Sequence, residues 1–296
     1  MPKTTLHFQK AGLQTTIQDQ GRIGYQSYGV PTSGAMDKKA AQLANELVGN
    51  SPENPVIEIT LLGPKIQFLG ACQIAITGAD LSPRINQQIA ALYKTIEVKS
   101  GDVLKFGGVK KGCRAYLAVG GKWQIPPWLD SFSALPYSGE AATPKSIIKK
   151  GMHLEVEINR TITTKHISIS EQPQYEQPLR IRVLPGPEFE EFSPYTIAYF
   201  FSRGYKITSD SNRMGYRLDA NLIDFKPNRE VISSGIIPGT IQITSAGQPV
   251  ILMADAQTVG GYYRIANVVK ADLDKLAQLK PGDEVWFSLV RLEEVI

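Results

Sequence analysis

Between residues 56 and 158 the chain reads as one short apolar run after another, at 56–61, 65–69, 73–77, 95–98, 103–106, 114–119 and 153–158. Each is rich in Val, Ile, Leu, Tyr or Thr and ends in a turn carrying Gly, Pro or Asp. Runs this short, at this spacing, read as the strands of a barrel or sandwich. A parallel α/β sheet would place a helix between most strand pairs, and this region has no helical periodicity. Upstream, 6–9 and 15–17 also read as strands, turned at Ala11-Gly12. From Asp37 the pattern changes: Ala40, Leu43, Ala44, Leu47 and Val48 recur at three and four, predicting the one long helix of the first half. Gly49-Asn50 with Pro52 beyond ends it, as a left-handed cap followed by a residue that cannot continue a helix.

Over 161–178 the sequence turns polar and irregular, the composition of a linker. With 296 residues, 42% hydrophobic and 20% charged, the chain has apolar content for two cores. The expected division is 1–170, a β-rich half with one long helix, and 178–296, a β-barrel half. In the second half, strands are predicted at 179–184, 205–208, 230–233, 240–243, 250–254, 265–269 and 284–289. Ser193 reads as an N-cap with Pro194 at the first helical position and Gly204 closing that helix, and a shorter helix is predicted over 272–279. Lys99-Ser-Gly-Asp-Val-Leu-Lys-Phe106 echoes Lys280-Pro-Gly-Asp-Glu-Val-Trp-Phe287, which fits recurrent hairpin chemistry or two related barrels. The expected class is mainly β with a few helices, arranged as two packed β-barrel-like halves.

Several function classes are disfavoured. Cys72 and Cys113 sit in strand-like runs without metal-ligand spacing and are expected to be reduced core residues. The first twenty residues carry no apolar signal-like core, and no stretch approaches the roughly 20 apolar residues that span a bilayer, so a cytoplasmic protein is expected. The net charge of +4 is scattered, without the basic stripe that a nucleic-acid surface needs. Gly107 and Gly112 have P-loop glycine spacing, but Cys113 stands where the lysine is required. His7, His153 and His166 lie far apart in sequence, which argues against a zinc site or a Ser-His-Asp triad, and no metal is expected.

Three polar constellations could carry chemistry. The first, Gln18, Asp19, Arg22, Ser33 and Asp37, is embedded in glycines. The second lies in 209–219, where Asp210 and Asn212 precede Arg213, Tyr216 and Arg217. The third joins Gln242 to Asp255, Gln257, Thr258, Gly260, Gly261 and Tyr262, at the end of an apolar strand. A carboxylate at a strand end suits a general base, and arginine supplies a fixed fork for an oxyanion or phosphate. Paired glycines can present bare N–H groups to an anion. The competing structural readings are Asx-turns at Asp210 and Asn212 and a tight turn at Gly260-Gly261.

The runs Thr15-Thr-Ile-Gln-Asp-Gln-Gly-Arg-Ile-Gly24, Gly29-Val-Pro-Thr-Ser-Gly-Ala-Met-Asp37, Ala44-Asn-Glu-Leu-Val-Gly-Asn50, Ser209-Asp-Ser-Asn-Arg-Met-Gly-Tyr-Arg-Leu218, Pro238-Gly-Thr-Ile-Gln242 and Gln257-Thr-Val-Gly-Gly-Tyr262 resemble the signatures of the biotin-dependent carboxyltransferase family. That family includes the C-type subunit of bacterial 5-oxoprolinase, the carboxyltransferase part of urea carboxylase, and an antagonist of a sporulation-kinase inhibitor. The resemblance covers nearly the whole chain in order. It implies a cyclophilin-like barrel architecture and two partners in a 5-oxoprolinase complex, a directly bound B-type subunit and an A-type one. Together the three use ATP, at a site that need not lie on this chain, to convert 5-oxoproline to glutamate. A chain of this length without a biotin-carrier segment resembles the oxoprolinase component more than urea carboxylase. One departure stands out: Phe132 replaces an arginine usual in the family, and the glycine pattern over 138–145 is mostly lost.

On this reading Arg213 is expected as the oxyanion or phosphate group and Asp255 as acid/base or orienting carboxylate. Asp210, Asn212, Tyr216, Gln242, Gln257, Thr258, Gly260, Gly261 and Tyr262 are expected to position substrate, supported by Gln18, Asp19, Arg22, Ser33 and Asp37. Two alternatives stay open. One is a regulatory module that antagonises a small kinase-inhibitor protein, using Trp123, Trp128 and Phe132 as exposed apolar residues. The other is carboxyl transfer to urea or a related amide from biotin carried by another chain.

Overall fold

The structure, a computed structural model, describes residues 2–135, 143–159, 162–222 and 231–295. Thr161 at the head of the polar stretch, Glu230 of the predicted strand at 230–233, and residues 138–142 of the divergent run lie outside the described residues. The protein is mainly β, with three α-helices among the described residues. Two compact units emerge, Met1–Arg22 with Ser33–Gln174, and Ile23–Thr32 with Tyr175–Ile296.

The first unit carries two antiparallel sheets. The seven-stranded sheet runs Gly121–Trp123, His153–Ile158, Lys3–Lys10, Lys65–Phe68, Val103–Lys105, Arg84–Ile85, Gln88–Ile89. The five-stranded sheet runs Gln14–Gln18, Val56–Thr60, Lys111–Val119, Cys72–Asp80, Thr95–Val98. Strand parity decides where its cores sit, because successive side chains point to opposite faces. Ile74, Ile76, Ala115, Leu117 and Val119 join Leu6, Phe8, Ile66 and Phe68 in the main core. The intervening Ala75, Tyr116 and Ala118 instead meet Ala40, Ala41, Ala44 and Leu47 of helix Lys38–Leu47. Strands covered on both faces need no polar alternation, which is why 73–77 and 114–119 read as continuous apolar runs. The helix starts where predicted: Asp37 caps it, its Oδ1 accepting from the Ala40 N–H at 2.9 Å.

The second unit holds a seven-stranded sheet in the order Tyr205–Lys206, Glu284–Leu289, Leu179–Pro185, Tyr263–Val268, Thr240–Ile243, Pro249–Leu252, Gly215–Arg217. Leu179–Pro185 and Glu284–Leu289 pair in parallel. Helix Pro194–Phe201 is capped by Ser193, whose Oγ accepts from the Thr196 N–H at 3.1 Å. It docks through Phe200, stacked on Phe287 at 4.9 Å between centroids. A separate two-stranded ribbon pairs Ser234–Gly235 with Val259–Gly260.

Several expectations are corrected. Residues 231–233 form no strand; the ladder begins at Ser234, where the chain meets its partner at Gly260. The helix predicted over 272–279 is a 3-10 turn, Lys270–Asp272, running into the short helix Leu273–Leu276. The exposed apolar trio of the regulatory reading is not exposed as a group. Trp123 lies in the main core, Phe132 packs partly buried against it, and Trp128 is half-buried under the Arg22 guanidinium.

Candidate functional site

The second unit brings the 209–219 stretch and the 254–262 stretch together. What reads in sequence as a long polar turn contains the edge strand Gly215–Arg217, which pairs with Pro249–Leu252 and continues to Met214 and Arg213: Met253 N donates to Met214 O at 3.0 Å and Asp255 N to Arg213 O at 2.9 Å. That ladder sets Arg213 beside Asp255. The guanidinium donates from Nε to Asp255 Oδ2 at 2.7 Å and from Nη2 to Oδ1 at 2.8 Å, a bidentate pair with Arg213 wholly buried. Each charge neutralises the other, and the pair pins the turn from which 256–262 emerge. Asn212 makes the Asx-turn, its Oδ1 accepting from Met214 N at 2.8 Å, and Asp210 is exposed. Tyr216 is buried, its hydroxyl donating to Leu279 O at 3.2 Å.

Beyond the pair, Gln257 and Tyr262 are exposed, Thr258 is buried, and Gly260 belongs to the two-stranded ribbon. Gln242 lies in strand Thr240–Ile243, directly opposite Arg264 of strand Tyr263–Val268. Its side chain is buried, and its Nε2 has no hydrogen-bond partner among the described residues.

Arg264 and Glu188 are residues that sequence reasoning misses. Arg264 donates from Nε to Glu188 Oε2 at 2.7 Å and makes a second, shorter ion-pair contact from Nη2 to Oε1. Its Nη1 reaches Ser234 Oγ at 2.9 Å, tying the ribbon to the sheet. Glu188 follows Pro185-Gly186-Pro187, a run of turn-forming residues. Nothing local marks the long-range contact that makes the carboxylate matter.

Burial opposes the charge on Glu188, but the hydrogen bonds from the Arg264 side chain and backbone outweigh it and hold the carboxyl below its ordinary range. A carboxyl with a depressed folded-state pKa contributes stability that is full above the unfolded value and lost as pH falls through the folded one. The stability gap between the native chain and Glu188→Gln is therefore expected to be constant near neutrality. It should narrow once the pH drops below about 4, the ordinary glutamate range. Urea midpoints of the two proteins across pH 3–7 (roughly the span bracketing that range) check this.

The first constellation lies in the first unit, and all of it but Asp37 belongs to one hydrogen-bonded knot. Asp19 Oδ1 accepts from Gly21 N at 2.8 Å, Ser131 Oγ at 2.8 Å and Ser133 Oγ at 2.5 Å, while Oδ2 accepts from Phe132 N at 2.6 Å. Arg22 donates to Ser133 O at 2.7 Å and Trp128 O at 3.2 Å, with its guanidinium 4.7 Å above the Trp128 ring. Ser33 donates to Ala134 O at 2.9 Å, and Gln18 Nε2 to Thr16 Oγ1 at 3.1 Å. Gly34, at φ 94, passes so close that a Cβ would lie 2.9 Å from Gly21 N. The knot grips 128–134, the segment that contains Phe132, and holds Leu129 and Asp130 at φ 49 and 58. Left-handed conformations in such residues cost about 1–3 kcal/mol each and persist only where surrounding contacts impose them.

Asp37 adds a second buried network. Its N–H donates to Tyr116 Oη at 2.8 Å, and that hydroxyl donates to Glu58 Oε2 at 2.9 Å. Burial first, then the Glu58 and Asp37 charges, raise the Tyr116 phenol well above its ordinary range, so it stays protonated as a donor. Cys72 and Cys113 are buried and not joined in a disulfide, and burial pushes the Cys72 thiol up to about 12. Among the described residues, no group of three or more His, Cys, Asp or Glu side chains could hold a metal ion, and no helix is long and apolar enough to cross a membrane.

Residues 28–289 match the family described as Carboxyltransferase domain, subdomain A and B. The chain is 36% identical over 287 residues to the C-type subunit of 5-oxoprolinase from Escherichia coli strain K12, covering 97% of this chain and 92% of that protein. It is also 34% identical over 307 residues to urea amidolyase of Saccharomyces cerevisiae, covering 96% of this chain but 16% of that protein. Among solved structures, the K. lactis urea amidolyase superimposes with a TM-score of 0.88 at 31% identity, over 97% of this chain and 19% of that one.

Proposed function

This chain belongs to the carboxyltransferase domain family, subdomains A and B, and from that premise we propose that it is the C-type subunit of an ATP-dependent 5-oxoprolinase complex. In that complex it helps to activate and open the lactam of 5-oxo-L-proline, giving L-glutamate. The observation that carries this reading is the end-to-end similarity to a free-standing C-type subunit of 5-oxoprolinase. The B-type subunit is the direct partner and the A-type subunit completes the enzyme, in the cytoplasm. ATP supplies the driving force at a site that can lie on another component, and no biotin is attached to this chain.

Ring opening places negative charge on the amide oxygen, and preorganised donors in a water-poor setting lower that barrier. Arg213 and Asp255, expected from sequence to act on the substrate directly, are buried and bonded to each other, so their role in this reading is to fix the turn. Asn212 closes the Asx-turn beside them, Tyr216 anchors the strand through Leu279, and exposed Asp210 is left as the group of that stretch able to meet substrate. Gln242 and the segment carrying Gln257, Thr258, Gly260, Gly261 and Tyr262 then contact substrate. Within the first unit the Asp19–Arg22 knot, with Gln18 and Ser33, holds the 128–134 segment in place, and Asp37 caps the long helix.

Carboxyl transfer to urea is the second reading, favoured by the similarity to urea amidolyase. The complex purified with its A-type and B-type subunits separates the two. Release of glutamate from 5-oxo-L-proline that depends on ATP and not on bicarbonate is the expected result. Bicarbonate-dependent carboxylation of urea, without lactam opening, would overturn it.

A further inference from the structure

The second unit contains a polar group that its fold leaves unanswered. Gln242 is 2% exposed, its Nε2 has no partner among the described residues, and Gly260 closes over it: a Cβ at 260 would fall 2.5 Å from that nitrogen. A buried donor without an acceptor is destabilising, and native proteins keep few of them. A leucine or methionine at 242 would fill the same face without that penalty. The surroundings are apolar, with Ile236, Leu252, Ala256 and Val250 packed together. The nearby cation, Arg264, is already paired with Glu188 and holds the ribbon through Ser234.

We propose that the Gln242 carboxamide is the lactam-recognition group of this chain, covered in the present structure by the Ser234–Gly235/Val259–Gly260 ribbon, which lifts to admit a small cyclic amide. The inference rests on the lactam reading above. The ligand class follows from the chemistry of the group. A neutral donor on an apolar face, beside a cation that is already neutralised, fits a neutral acceptor rather than a free anion. A primary carboxamide pairs doubly with a cis-amide, donating N–H to its carbonyl while accepting the ring N–H; a five-membered lactam is locked cis, whereas an open-chain amide is trans. Glycine at 260 is the residue that leaves room for the carboxamide beneath the ribbon.

The test uses two variants and two probes, 5-oxo-L-proline and 2-pyrrolidinone, the second lacking the carboxylate. Gln242→Met keeps the shape and removes the amide. Gly260→Ala keeps the amide but displaces it, the clash falling on the movable end of a side chain. Binding is read on the full chain, alone and with its partner subunits, as ligand-dependent stabilisation. Both lactams are expected to raise the melting temperature of the native protein, and each variant to weaken binding by at least about tenfold, the loss of one well-placed hydrogen bond to a buried partner. Gln242→Met is also expected to melt no lower than the native protein without ligand, because it removes a donor that folding leaves unpaired.

A Gln242→Met protein that melts lower or fails to fold marks the amide as a structural group and overturns the inference. So does unimpaired binding by either variant, or a native protein stabilised by neither lactam. Glutamate release by the complex is scored separately. An inactive native complex whose chain still binds lactams through Gln242 sinks the proposed function and leaves this subsite standing. An active complex with unimpaired Gln242→Met does the reverse.

Discussion

Asp255→Ala is expected to lower stability by about 3–5 kcal/mol, the cost of breaking a buried pair and leaving its partner charged. Arg213 is wholly buried, and its Nε and Nη2 bonds to Asp255 are short, at 2.7 and 2.8 Å. Removing the carboxylate therefore strands a cation where water does not reach. The double replacement Arg213→Met/Asp255→Leu removes both charges together and is expected to recover most of the loss, since a well-packed apolar pair often matches a buried ion pair. Urea denaturation of the three proteins measures this. A loss below about 1 kcal/mol for Asp255→Ala, the range of an exposed pair, would contradict the structure. Activity of the stable double variant, assayed with the partner subunits, then separates the two roles by size: loss of a donor to the oxyanion is expected to cost about 10²–10³-fold in kcat, whereas a pair that only positions the turn is expected to cost less.

Asp19→Ala is expected to cost about 4 kcal/mol, at the upper end of single substitutions. The carboxylate accepts from two hydroxyls and two backbone N–H groups, those of Ser131, Ser133, Gly21 and Phe132. Their loss leaves several buried donors unanswered at about 1–3 kcal/mol each, less whatever relaxation of 128–134 recovers. That segment holds Leu129 and Asp130 in left-handed backbone, so it should relax once the restraint is gone. Denaturation gives the energy, and amide exchange of residues 128–134 should rise more than that of strand Lys111–Val119. Equal protection of 128–134 in both proteins would show that the knot does not hold the segment.

The strands and the long helix are legible in the sequence because their signals are local. Thr95–Val98, Thr240–Ile243 and Glu284–Leu289 fall where their apolar patterns place them, and Asp37 and Ser193 mark helix starts through bonds to nearby N–H groups. The hairpin Arg84–Ile85/Gln88–Ile89 is not legible, because two-residue strands have no periodicity and its turn uses Asn86 and Gln87 at positive φ without a glycine. Gly215–Arg217 is hidden because its register is supplied by Pro249–Leu252, far along the chain. The same distinction governs the site. Asp19, Arg213, Gln242 and Asp255 stand out by residue type, but their partners are long-range. Ser131 and Ser133 flank the divergent Phe132, and nothing in the local sequence singles out Glu188 or Arg264. The pairing of Gln242 with Arg264 across two strands, and the glycine above it, is visible only once the sheet is built.

Whether this chain is a working part of a lactam-opening enzyme is tested most directly by reconstituting the A-type and B-type subunits with and without it, and measuring glutamate formed from 5-oxo-L-proline per ATP consumed. Glutamate release that requires the chain is the predicted result. Equal release without it would contradict that role.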